Sequence, residues 1–231
     1  MIEGHYSTKF DVELAELGEQ TIEMGRLIES QLKHATNALV RGDRMLAQLV
    51  ADNEVLVNRL EVEIDRKSTE LLARRQPAAG DLRFVVMILK TVNDLERIGD
   101  EITRVALMGS RATYVSDNIP VYEDLEKLCN RVLTHLNQTL EAFESTDDSA
   151  SLELIRQEKK VDKKFRNSLK KMINWMMADS ESIPEAIDIL WTIRALERVA
   201  DRSCNICEHI VYFVRGEDIR HLDIDKIDIG D

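Results

Sequence analysis

Leu95-Glu96-Arg97-Ile98-Gly99-Asp100 returns 101 residues later as Leu196-Glu197-Arg198-Val199-Ala200-Asp201. One helix earlier, Glu61-Val62-Glu63-Ile64-Asp65 finds a counterpart 97 residues on, in Glu158-Lys159-Lys160-Val161-Asp162. A repeat of this kind decides the architecture before any local pattern does. The mismatch between the two offsets is assigned to a longer loop around Pro184. The chain therefore reads as helix–helix–helix twice over. The expected fold is all-α, two tandem three-helix bundles related by an internal repeat. The first bundle spans residues 1–109 and the second 121–215, with a linker over 109–120 and an acidic tail over 216–231.

Working outward, apolar residues recur every three or four positions, as in Val85, Ile88, Val92, Leu95, Ile98, Ile102 and Val105. That period belongs to one face of an α-helix. Pro77, Pro120 and Pro184 mark boundaries, because proline is tolerated in a first turn and expelled from helix interiors. Further breaks fall at Arg41-Gly42-Asp43, at Gly109-Ser110 and across Ser145 to Ser149. Six helices are predicted, over 7–41, 43–75, 80–108, 121–145, 149–178 and 184–215. The tail alternates Ile or Leu with Asp, a strand-like pattern with no evident partner strand, and is read as a flexible acidic segment.

Bulk properties agree. The 231 residues are 44% hydrophobic, 32% charged and only 5% aromatic, a balance suited to helix-on-helix packing. A formal net charge of −12 repels phosphate backbones and anionic headgroups, which argues against nucleic acid and membrane-surface binding. The most apolar stretch, Phe84 to Leu89, is far shorter than the roughly 20 residues a spanning helix needs, so no direct membrane insertion is expected. The N-terminal residues lack a basic region followed by an apolar one, and three cysteines make no disulfide framework; both fit a cytoplasmic protein.

Chemistry concentrates in the acidic motifs. Residues at i and i+4 share a helix face, so each Glu-x-x-x-Asp sets two carboxylates side by side, and adjacent anions invite a cation. The candidate metal ligands are Glu61, Asp65, Glu96 and Asp100 in the first half. In the second half they are Glu158, Asp162, Glu197 and Asp201, with Glu208 two turns beyond Asp201. Carboxylate oxygens suit Mg²⁺, Mn²⁺ or iron, with Zn²⁺ also acceptable. The competing reading is a solvated acidic face whose Arg97 and Arg198 join surface ion pairs. Cys204 and Cys207 form a lone C-x-x-C and are read as core thiols. No phosphate-cradling loop and no nucleophile–base constellation stands out, so enzyme activity is not expected.

These residues resemble the PhoU family of phosphate-transport regulators. The resemblance runs over Asn58, Glu61, Asp65, the segment Ala73 to Arg83, and Asp94 to Asp100. It continues through Arg194 to Asp201, Asn205, Glu208 and Gly216 to His221. It implies tandem three-helix bundles, metal ions on the acidic motifs, and a negative regulator of the phosphate-starvation response. It further implies an adaptor between a PstB-like transporter ATPase and a PhoR-like sensor kinase, reaching the inner membrane face through these partners, and a homodimer. The alternatives are a carboxylate-bridged di-metal enzyme, against which the lack of Glu-x-x-His spacing counts, and a metal-free scaffold. The halves differ: where the second has Asn205 and Glu208 the first has Arg104 and Leu107, and Glu158 is followed by Lys159 and Lys160.

Overall fold

The computed structural model describes residues 8–111 and 122–227. Every regular element among them is helical: α1 (Thr8–Arg41), α2 (Arg44–Arg75), α3 (Ala79–Arg111), α4 (Tyr122–Ser145), α5 (Asp148–Ala178) and α6 (Ile183–Arg215), with short 3₁₀ turns at Ser180–Ser182 and Ile224–Lys226. All six predicted helices are present. The largest boundary difference is at Gly109-Ser110, where the expected break is overrun and α3 continues to Arg111.

The helix ends follow from local chemistry. The Asp43 carboxylate accepts from the Met45 and Leu46 amides and opens α2; Asp147 does the same for α5 through Ala150. Pro184 occupies the first turn of α6, where its missing N–H costs nothing. Gly216 closes α6 in the left-handed region (φ 75°), its N–H donating to the Tyr212 carbonyl, which a residue with a Cβ would do under strain.

α1, α2 and α3 pack on one another, as do α4, α5 and α6, and the two bundles meet where α3 runs along α6 and α1 along α4. One apolar core passes through both, including Leu17, Met24, Ile28, Ile64, Ile88, Leu95 and Ile98 from the first half and Leu136, Leu152, Leu196, Val199 and Ile210 from the second. The leucine of each LERxxD motif is fully buried, which fixes the neighbouring Glu and Asp on the flank of the seam rather than in it.

The C-terminal segment departs from the flexible tail expected of it. Ile219 and Ile224 are buried, and Arg156 donates to the carbonyls of Ile224 (3.2 Å) and Ile227 (2.7 Å). Its alternating isoleucines are used to anchor an irregular strap on the second bundle, not to pair as a strand; residues 228–231 lie outside the described residues.

Candidate metal centre

In the first half, α2 and α3 bring the predicted carboxylates onto one acidic face. Burial raises the pKa of Glu61, and the neighbouring Asp65 and Asp100 raise it further. Glu96 is raised in the same way by burial, then by Asp100 and Glu61, with a smaller push from Glu54. Asp65 is raised by burial. The four expected ligands are therefore coupled across two helices, and Glu54, which the sequence reading passed over, adds its charge to Glu96.

The second half is built differently. Its motif equivalence with the first was drawn at 97 residues, yet α2 and α5 begin 104 residues apart, at Arg44 and Asp148. Counted from the helix starts, Glu158 holds the place in α5 that Glu54 holds in α2. Slipping two helical turns preserves the face of a Glu-x-x-x-Asp pair, so the pattern alone gave no warning. Glu158 is buried, and its carboxylate meets His135 of α4 and Cys204 of α6. Glu197 is held by an ion pair with Arg194, and Asp201 is exposed. The Asp162 side chain lies outside the described residues.

Among the described residues, His135, Glu158 and Cys204 form the only group of three potential ligands whose donor atoms all lie within 4.8 Å of one another. Cys204 Sγ and His135 Nε2 are 3.5 Å apart. Burial, aided by the Arg131 cation, lowers the His135 pKa to about 4, so the ring is neutral at physiological pH. Burial raises the Cys204 thiol well above its ordinary value, reinforced by Cys207, Glu158, Glu208 and Asp201. Cys207, fully buried against Thr139 (3.6 Å), is pushed up to about 12 and is inert core, as expected of it.

Glu208 lies one turn beyond Cys204, and burial pushes its pKa up to about 7; Arg220 pulls it back, while Asp218 and Asp94 push it up. The fold thus disfavours the charged form. Its stabilising contribution is full below about pH 4.5 and lost as pH rises through about 7. In metal-free buffer, denaturant unfolding is expected to weaken over that window by on the order of 1–2 kcal/mol, allowing for solvent screening of a partly exposed group. Glu208→Gln should flatten that slope; an unchanged slope would count against Glu208 as its source.

A second polar cluster escaped the sequence reading. Asp94 of α3 is buried and accepts from Arg202 (2.9 Å) and Asn205 (3.2 Å), and its second oxygen meets His209 Nε2 at 3.0 Å. Burial pushes the Asp94 carboxyl up, but the hydrogen bonds from His209, Arg202 and Asn205 outweigh it and leave the pKa lowered. Arg198, from the repeated motif, reaches Glu101 at 2.8 Å. These contacts stitch α3 to α6 across the repeat boundary. The signals were an aspartate inside an apolar stripe, between Val92 and Leu95, and a polar face at 202, 205 and 209.

The fold and its acid-faced helices define a protein of two tandem three-helix bundles built on an internal repeat. Residues 21–108 and 125–210 each match the model of the PhoU domain, and the chain belongs to the PhoU family. It is 35% identical over 223 residues to the phosphate-specific transport system accessory protein PhoU homolog of Pseudomonas putida, covering 96% of this chain and 87% of that protein. It is 37% identical over 227 residues to the PhoU accessory protein of Escherichia coli K12, covering 97% and 92%. The crystal structure of PhoU from Pseudomonas aeruginosa superposes with a TM-score of 0.87 at 36% identity, over 90% of this chain and all of that one. The phosphate transport system regulatory protein PhoU of Streptococcus pneumoniae gives 0.83 at 32% identity, over 90% and 98%. These relatives are named as accessory or regulatory proteins, not enzymes.

Proposed function

We propose that this chain is a negative regulator of the phosphate-starvation response and of phosphate uptake. It works as a metal-binding adaptor between a PstB-like transporter ATPase and a PhoR-like sensor kinase. The observation that carries this reading is kinship along nearly the whole length, in both repeats, to proteins named as accessories of the phosphate-specific transport system. In this reading the protein is a cytoplasmic homodimer and meets the membrane through its partners. No described helix is long and apolar enough to cross a bilayer.

The metal belongs on the α2/α3 face. Glu61, Asp65, Glu96 and Asp100 offer only oxygen donors, and their mutual repulsion is what a hard cation relieves. A bound Mn²⁺, Mg²⁺ or iron would supply the compensating charge, and these side chains would hold it between the helices.

Deleting the gene is expected to leave phosphate-responsive genes active in high phosphate. Wild-type protein should restore repression. Unchanged expression in the deletion strain would overturn the regulatory reading, and full complementation by a Glu61→Gln/Asp65→Asn/Glu96→Gln/Asp100→Asn variant would remove the metal from it.

A further inference from the structure

We propose that His135, Glu158 and Cys204 form a binding site for a single borderline-to-soft divalent cation, Zn²⁺ in class, distinct from the oxygen-only face on α2/α3. Three helices converge on it: α4 supplies the imidazole, α5 the carboxylate and α6 the thiol, all three buried and within 4.8 Å of one another. The spacing fits. With Zn–S near 2.3 Å and Zn–N near 2.0–2.1 Å, a tetrahedral angle places sulfur and nitrogen about 3.5–3.6 Å apart. Cys204 Sγ and His135 Nε2 stand at 3.5 Å.

The repeat provides an internal contrast. Counted by helix bounds, with α2 and α5 starting 104 residues apart, α3 and α6 likewise, and α1 and α4 ending 104 apart, the first half has Gln31 on α1, Glu54 on α2 and Asp100 on α3. Both halves keep the carboxylate. Only the second places an imidazole and a thiol beside it. Two metal-ligating residue types gained together, around a shared glutamate, are what a change from hard to softer ligation requires.

Charge closes the case. Zn²⁺ with one thiolate, one carboxylate and a neutral imidazole has no net charge, which suits a buried position. On binding, the Cys204 S–H bond breaks, the S–Zn bond forms and the proton leaves to solvent. Asp201 and Glu208 share the α6 face with Cys204 and add negative charge beside it, which favours a bound cation. A water would complete a four-coordinate site.

The competing account is a plain S–H···N hydrogen bond, for which 3.5 Å also serves. Titrating Co²⁺ into reduced, chelator-stripped protein separates the two. The expected result is one equivalent bound with thiolate-to-cobalt charge-transfer absorption, erased by one equivalent of Zn²⁺. Cys204→Ser should lose the band and weaken Zn²⁺ binding by about 100-fold or more, while Cys207→Ser keeps both. Glu158→Gln, a near-isostere, should weaken binding with helical content unchanged, which covers the chance that a cysteine variant misfolds. The four-carboxylate α2/α3 variant should keep the band, so failure of that site leaves this one testable. No charge-transfer band in the wild type, or a band that survives Cys204→Ser, overturns the proposal.

Discussion

Asp94→Ala is expected to cost about 3–5 kcal/mol of folding free energy, measured by denaturant unfolding, because it strips the acceptor from three donors at once. Arg202 and Asn205 share one carboxylate oxygen and His209 takes the other. His209 is buried, whereas the Arg202 side chain is about one-third exposed (32%) and can turn partly to water, which places the expected cost toward the lower end. Asp94→Asn keeps one acceptor and should lose about half as much. The pH signature is opposite to that of Glu208. The Asp94 pKa is lowered in the fold, so its contribution is present above the ordinary value of 3.8 and fades as pH falls through the lowered value. Since this network joins α3 to α6, the variant should also broaden the unfolding transition as the repeats lose part of their coupling. A loss under about 1 kcal/mol would mean the charges reach water more easily than their burial implies.

The fold was legible because several independent signals agreed on it. Core period, prolines and turn clusters all placed the same six helices, and the duplicated LERxxD fixed their grouping. The helix containing Glu158 is where spacing alone leaves the pairing open. An amphipathic acidic helix repeats its face every seven residues, so Glu158 aligned as well with Glu61 as with Glu54, and only the helix ends broke the tie. His135 was invisible for a related reason. Its importance comes from α4 lying against α6, a contact between elements about 70 residues apart that no local spacing encodes. Asp94 could have been noticed: a charged residue in an apolar stripe needs a buried partner, and Arg202, Asn205 and His209 present one polar face. Which of the acidic residues converge was a matter of helix register, and register is what sequence spacing states least well.

Neutralising the α2/α3 face should reverse the stability order of two proteins according to whether metal is present. Without metal, Glu61→Gln/Asp65→Asn/Glu96→Gln/Asp100→Asn is expected to be more stable than wild type by about 1 kcal/mol. Two like-charged i,i+4 pairs contribute roughly 0.2–0.5 kcal/mol each, and repulsion between the helices adds to them. Burial raises Glu61 and Glu96 most, and the further push from the neighbouring acids is the same repulsion seen from the proton's side. With Mn²⁺ at about one hundred times its dissociation constant, wild type gains about 2.7 kcal/mol and the variant gains nothing, so wild type becomes the more stable. Thermal unfolding of both proteins with and without Mn²⁺ reads the crossover directly. Mn²⁺ is the discriminating probe, because an oxygen-only site accepts it while the thiol of Cys204 favours Zn²⁺. The crossover separates a site from a solvated face. A patch of carboxylates that merely attracts counter-ions would be stabilised a little by any divalent cation, and high monovalent salt would abolish that gain. A coordinated ion would keep its effect in salt. Equal Mn²⁺ responses from wild type and variant would leave the face as solvated acid, with the regulatory role independent of any metal there.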